Sequence, residues 1–371
     1  MNNAHIISIG SLASFSRGLT YSGSDEVDYS SNVVLRSNNI DLATNTLNFD
    51  ELKYISDAIN IPEDKKLQRN SIFMCMSNGS KQHLGKVAFI DRDYPYAFGG
   101  FMGLIKPKED IIIPKLLYYY FCSSKFKGFL SSIGNGANIN NIKFVDIAKD
   151  YISVPEKTTQ QSIIEELDKI NELIHLKKEQ LKDYDNLAQS IFYEMFGDPV
   201  VNEKGWEVKK FADLYKLKSG DSLSAKNFVE GEIPVYGGNG ISGYHNDFNM
   251  DGDFIIIGRV GVYCGNVREV HGKFWLTDNA FQLFYNREIQ YPCFIHYLLE
   301  ILDLHQYANA AAQPVISNLT LKDVEIIIPP LPLQQLFAQR IELIEQQKAE
   351  IQSTIADLET LLASRMQYWF D

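Results

Sequence analysis

The sequence predicts an α+β chain: two globular domains of mixed strand and helix, held apart by an antiparallel coiled coil of two long helices, with the whole arrangement written twice about a pseudo-twofold. Three observations predict it. Residues 155–197 lie over residues 329–371 without a gap, which places Pro155 on Pro329, Gln160-Gln161 on Gln334-Gln335, Asp183 on Asp357, Leu187 on Leu361 and Phe196 on Phe370. Apolar residues recur through both copies at alternating spacings of four and three. Ahead of each copy stands the same order of turn, apolar strand, proline-opened helix and amide-rich loop.

Taken in order, the first domain covers residues 1–154. Within it, residues 69–79 read as a turn and an apolar strand, Pro114 opens a helix, residues 134–141 form a loop dense in Asn and Gly, and residues 147–154 form a last strand. A long helix follows over 155–197, entered after Pro155, and a Gly-Asp-Pro turn at 197–199 closes it. The second domain, 198–328, repeats the plan: residues 251–261 lie over 69–79, Gly265 over Gly85, Ala280-Phe281 over Gly100-Phe101, and Pro292 opens a helix as Pro114 does. A loop at 308–318 and a strand at 324–328 lead to the second long helix, 329–371.

The four–three spacing is the seam of a coiled coil. In the first helix it includes Leu167, Ile170, Ile174, Leu181 and Tyr184; in the second, Ile341, Ile344, Ile351, Ile355 and Leu358. At about 1.5 Å of rise per residue each helix comes to roughly 55 Å. A helix with one apolar stripe must bury it, and the other copy is the economical partner. Lys177 and Lys348 occupy polar slots in the seam, either as stems whose ammonium groups reach water or as residues that set register.

Charge and composition narrow the function. The chain carries 35 basic and 47 acidic residues for a net charge of −12, with apolar residues at 45%, so a packed globular protein is expected. More than half of the deficit falls in the two helical segments; residues 1–155 hold 16 basic against 15 acidic. No block is strongly basic, so a nucleic-acid role requires partners to share in neutralising phosphate. Apolar runs are too short to span a bilayer, no leader is recognisable at Met1, and Cys75, Cys122, Cys264 and Cys293 stand too far apart for a zinc knuckle. A soluble cytoplasmic protein is expected.

Catalytic signatures are missing. Gly238, Gly240 and Gly243 fit the letters of a dinucleotide loop, but the turn-prone residues after them do not open a helix, and a loop is expected. Residues 79–86 have one residue too many for a phosphate loop, and Val87 stands where Ser or Thr is needed. The seven histidines form no metal pattern. Residues 328–331, Ile-Pro-Pro-Leu, lack the amide or acid of an amino-methyltransferase tetrad. No catalytic centre, metal site or bound cofactor is expected on this chain.

The duplicated order of variable domain and heptad helix resembles the specificity subunit of type I restriction–modification systems. The strings that carry the resemblance are residues 253–261 (Asp-Phe-Ile-Ile-Ile-Gly-Arg-Val-Gly), 76–86, and the proline-rich entries to the helices with their paired glutamines, 152–161 and 327–335. The resemblance implies that each globular domain is a target-recognition domain reading one half of a split site in double-stranded DNA. It implies that the coiled coil sets the gap and docks two methyltransferase subunits, and that restriction subunits join them. S-adenosylmethionine, ATP and magnesium would then sit on those partners.

Base reading calls for Arg, Lys, Asn and Gln on loops, with Ser and Tyr on phosphates. In the first domain the candidates are Arg36 and Asn38 after a Val-Val-Leu strand, then Asn78, Ser80 and Lys81 with Lys86 behind them, and Asn138 and Asn140 in the amide-rich loop. In the second they are Tyr236, Asn239, Arg259, Tyr263, Arg268 and Gln313. Arg259 has an alternative as an ion pair with Asp253 or Asp278. A different function also fits the residues: a coiled-coil scaffold with two ligand-binding domains and no DNA role, its helices pairing between chains.

Overall fold

The computed structural model describes residues 4–133, 141–309 and 313–371. The chain divides into two compact units, residues 1–176 with 354–371, and residues 177–353. These units cut across the four segments expected above: each joins one globular domain to half of each long helix. The long helices are Lys157–Phe196 and Leu331–Phe370, 40 residues apiece. Among the described residues no helix is long and apolar enough to cross a membrane.

In the first unit an antiparallel sheet runs in the order Ala13–Arg17, Met102–Pro107, Ser71–Cys75, Val87–Ile90. The strand Ser71–Cys75 is buried along its whole length because its two faces meet different layers. Side chains alternate across a strand, so Ile72 and Met74 face the helix Pro114–Cys122 and its cluster, Leu116 and Leu117 included. Phe73 and Cys75 face Leu35 and Phe98 of a second small sheet, where Asn32–Leu35 pairs in parallel with Ala97–Phe98. Strand Tyr151–Val154, paired with His5–Ser8, leads into the long helix.

The second unit repeats this plan in one six-stranded sheet. Ile255 and Ile257 of strand Met250–Gly258 face Phe294, Ile295 and Leu298 of helix Pro292–Ile301, whereas Ile256 faces Phe274 and Leu276. Strand Ile233–Gly237 lies parallel to the end of Val267–Leu276, and strand Glu207–Lys210 pairs with Glu325–Ile328. Residues 238–243 turn back into strand Gly240–His245, a hairpin where a dinucleotide site needs a helix.

These registers correct two parts of the repeat read from sequence. Met74 pairs with Gly103 as Ile257 pairs with Phe281, so Cys75 matches Gly258, not Ile257. The overlay of 69–79 on 251–261 is therefore one residue out, a slip that swaps the two faces of the strand. The overlay of Gly100-Phe101 on Ala280-Phe281 is two residues out; the register matches Met102 with Ala280 and Phe101 with Asn279. The Gly85–Gly265 match stands.

The long helices pair antiparallel within the chain. In the second unit Lys348 Nζ lies 2.8 Å from Asp185, and Phe192 packs edge-on against Phe337 with centroids 5.7 Å apart. In the first unit Arg365 and Trp369 both donate to the Glu166 carboxylate, the indole at 2.9 Å. The Arg365 guanidinium holds Glu166 below the usual carboxylate range. Leu167, Ile170, Ile174, Ile341, Ile344, Ile351 and Ile355 are buried, and Leu181, Tyr184 and Leu358 half-buried. Lys348 keeps its charge inside the seam: burial opposes it, and Asp185 and Glu345 outweigh that cost. Lys177 donates to Gln180 at 3.0 Å.

The paired glutamines acquire a physical reason. Gln160 is 1% exposed and Gln334 is 0% exposed. Gln160 Oε1 accepts from Ile113 N at 2.8 Å, while Nε2 donates to Ile111 O at 3.2 Å and Pro155 O at 2.8 Å. Gln334 repeats the set with Tyr291 N, Ile289 O and Pro329 O at 2.8, 3.0 and 2.7 Å. Each carboxamide thus fastens the first turn of a long helix to the segment that opens the domain's own helix. Gln161, the second of its pair, is exposed and bonds Glu165.

Buried backbone groups deprived of partners are costly. Gln160→Ala or Gln334→Ala is expected to destabilise by about 2–4 kcal/mol in denaturant unfolding, and Gln161→Ala by less than about 0.5 kcal/mol. Equal losses at positions 160 and 161 would remove the fastening role.

Candidate nucleic-acid interface

One set of backbone bonds is written in both units, and it gathers four loops at one end of each sheet. In the first unit Gly99 N donates to Leu35 O, Met76 N to Phe101 O, Gly85 N to Cys75 O and Ile142 N to Met76 O. In the second, Thr277 N donates to Tyr236 O, Arg259 N to Asn279 O, Gly265 N to Gly258 O and Ile316 N to Arg259 O. Gly85 and Gly265 sit at φ +78° and +92°, a conformation that a side chain resists. Because these bonds use only main chain, the side chains on the loops are free to differ between units.

In the first unit the cluster holds Arg36, Asn38, Asn78 and Ser80. Glu51, itself exposed, engages two of them: Asn38 Nδ2 donates to it at 3.0 Å, and an Arg36 guanidinium nitrogen lies 3.9 Å away. Exposed pairs of this kind are weak and open to exchange for another acceptor. Arg36 Nε is buried without a hydrogen-bond partner. Asn78 is turned inward, its Nδ2 donating to Ser37 Oγ at 3.0 Å and its Oδ1 accepting from Ser80 N at 2.9 Å, so it ties the two loops together. Ser80 is exposed, and Lys81 begins the single turn Lys81–His83. Asn138, Asn140 and the side chain of Lys81 lie outside the described residues.

Lys86 departs from the expectation. It is 8% exposed and donates to Ile40 O at 2.8 Å, and burial pulls its pKa down from the usual lysine value. The neighbouring Gly85 turn and the alternation along strand Val87–Ile90 send its side chain inward, where it supports the 36–40 loop instead of meeting phosphate.

In the second unit the loops carrying Asn239, Arg259, Tyr263, Arg268 and Gln313 converge. Arg268 donates to Asn239 O at 3.4 Å, and Gly261 N donates to Pro314 O, beside Gln313. Asn239, Tyr263 and Gln313 are exposed; Tyr236 is half-buried, its ring edge-on to Phe274. Arg259 forms neither of the ion pairs considered for it. Its guanidinium donates to Asp278 O at 3.2 Å and Ser219 Oγ at 3.3 Å and lies over the Phe281 ring, while Asp253 pairs with His271. Sequence reasoning missed two exposed side chains in these clusters, Phe101 and Asn279. Once the two-residue difference in loop length is counted, the two positions superpose.

A concavity beside Arg268 in the second unit is unsuited to a duplex. A cleft of about 1140 Å³ lies among helix Pro292–Ile301, strand Val267–Leu276 and the two long helices. Asp185, Glu269, Glu300, Glu342 and Glu345 line it against the single lysine Lys348, a balance that repels phosphate. His296 within it is opposed by burial, yet Glu300 and Glu269 raise its pKa above the ordinary histidine value. The loop clusters, not this cleft, are the candidate interface.

The model of the type I restriction modification DNA specificity domain matches residues 1–183 and again residues 203–359. The chain belongs to that family. The specificity subunit of the EcoprrI type I restriction enzyme of Escherichia coli is 28% identical over 232 residues, 59% of this chain and 57% of that protein. The StySPI specificity subunit of Salmonella potsdam is 28% identical over 177 residues, 47% of this chain and 37% of its own length. The chain thus matches about half or less of the length of these relatives. Among solved structures, the S subunit of a type I restriction–modification system from M. genitalium aligns over 100% of this chain and 96% of its own, at 16% identity and a TM-score of 0.57. A chain from a structure concerned with complex assembly in the type I system aligns over 99% and 97%, at 16% identity and 0.60. Both share the fold.

For Lys86 the geometry predicts a stability effect without a recognition effect. Lys86→Met is expected to lower unfolding stability by about 1.5–3 kcal/mol, the range for a hydrogen bond to a charged group. Its DNA affinity, measured below the melting transition, should equal that of the unaltered chain. A variant as stable as the parent but weakened on DNA would place the ammonium at the interface after all.

Proposed function

We propose that this chain is the DNA-sequence-specificity subunit of a type I restriction–modification complex, with each globular domain reading one half of a bipartite site in double-stranded DNA. The observation that carries the reading is the pair of loop clusters: one main-chain scaffold, presented twice, with different polar side chains on each copy. Base readout needs such a fixed frame with exchangeable Arg, Asn and Gln groups. The matched family and the names of the relatives support it.

The coiled coil would then set the gap between half-sites and dock the methyltransferase subunits. Both long helices pass through both units, so a length measured in helical rise, about 1.5 Å per residue, is built into the chain. Each helix also keeps apolar side chains in water, Leu173, Leu176 and Leu187 on the first and Leu336, Leu343 and Leu361 on the second. Leucines at such spacing suit partner helices. Methyl transfer, ATP use and cleavage would belong to methyltransferase and restriction subunits, with S-adenosylmethionine, ATP and magnesium bound there, and the assembly would act on DNA in the cytoplasm. The net charge of −12 agrees with a reader that relies on partners for phosphate contacts.

Alone, the chain is expected to bind DNA weakly and with strong salt dependence; with its methyltransferase partner it should bind one bipartite site at least about 10³-fold more tightly than random duplex. Equal affinity of the complex for site and random DNA at physiological salt would refute the function. Ile170→Asp with Ile344→Asp places two carboxylates in the seam and should abolish capture of the methyltransferase in a pull-down. Undiminished capture would separate docking from the coil.

A further inference from the structure

We propose that one turn position in each unit reads a base: Phe101 in the first meets the C5-methyl group of a thymine, and Asn279, its counterpart in the second, meets the N6 and N7 edge of an adenine. The inference rests on the reading of the chain as a sequence-reading subunit, and names which residues discriminate and between what.

The backbone places the two residues alike. Met102 N donates to Gly99 O at 2.8 Å, and Ala280 N to Thr277 O at 3.1 Å, closing the same four-residue turn. The carbonyl of the third turn residue is taken in both units: Phe101 O accepts from Met76 N and Ser77 N, and Asn279 O accepts from Arg259 N. With the main chain held on both sides, the side chain at this position is kept out of the core. Phe101 is 73% exposed, whereas Phe73, Phe98, Phe121 and Phe126 of the same unit are fully buried. Asn279 is likewise exposed.

Their surroundings suit a base edge. The Phe101 turn begins at Gly99, whose N–H donates to Leu35 O, next to Arg36, and it is bonded to Ser77, next to Asn78. The Asn279 turn lies against Gly238, next to Asn239, and the preceding carbonyl, Asp278 O, holds Arg259. An apolar ring among such donors lacks a hydrogen-bonding use. In the major groove the thymine methyl is the one apolar feature of a base edge, and a carboxamide is the group that matches adenine in two bonds. One scaffold position filled by Phe in one unit and Asn in the other gives the two domains different preferences with no change of backbone.

The test uses the full chain assembled with its methyltransferase partner, and reads the methylated motif by sequencing host DNA. Phe101→Asn should change the preferred base at one position of one half-site and leave the other half intact. Asn279→Ala should relax one adenine in the opposite half, and Phe101→Leu, still apolar, should keep the original motif. In competition binding, deoxyuridine replaces the half-site thymines one at a time. The parent complex should weaken about fourfold at a single position, the worth of one buried methyl, and Phe101→Ala should be indifferent there. A motif unchanged by Phe101→Asn, or parent binding insensitive to deoxyuridine at every position, overturns this inference alone. A parent complex that marks no motif overturns it together with the sequence-reading function.

Discussion

The buried carboxamides of Gln160 and Gln334 are the constraint from which the rest follows. A carboxamide offers two donor hydrogens and an acceptor oxygen in a fixed plane, and each of these satisfies a main-chain N–H and two carbonyls. The first turn of a long helix is thereby locked to the segment that starts the domain helix. A slide of either element would strand several buried polar groups at once, which costs more than any gain in apolar contact. Apolar packing can then extend across the junction. Ile163, Ile164 and Leu167 of the first helix share a cluster with Leu116 and Phe126 of the first domain, and Phe337 and Ile341 do the same with Phe294 and Leu298 in the second unit.

Under the proposed function a rigid junction serves recognition, because a reader must hold its loops still. The loop clusters are built on backbone bonds repeated in both units, which leaves side chains to be chosen freely. The choice differs: Arg36 and Asn38 with Phe101 in the first unit, Asn239 and Arg268 with Asn279 in the second. Acidic groups line the long helices and the cleft around His296, which adjoins Tyr236 and Arg268, and Glu51 stands within the first cluster.

Legibility in the sequence followed the chain's own regularity. The long helices were readable because their repeat has no gap and its period is that of a seam; Leu167, Ile170, Ile344 and Ile351 lie where the spacing put them. The strands were readable as strands but not in register. Gly85 and Gly265 mark one bond exactly shared in kind, yet the connection from there to Met102 is two residues longer than the one to Ala280, and nothing local announces that difference. By spacing alone Phe101 lies over Phe281, a residue of the packed sheet, whereas the register makes Asn279 its counterpart.

By itself the sequence determined the duplication, the order of elements, the seam and the glutamine pair, since each is a property of spacing along the chain. Only the tertiary structure decided which side chains are available to a ligand. Lys86 looks like a DNA contact in a string of letters, but a neighbour distant in the chain, Ile40, claims it, and Asn78 is tied to Ser37. Arg259 looks like half of an ion pair and instead spans a carbonyl, a hydroxyl and a ring. Such partners are brought by strand pairing over separations of about 20 to 50 residues, and burial and hydrogen-bond competition at those meetings, not residue type, settle what a side chain can still do.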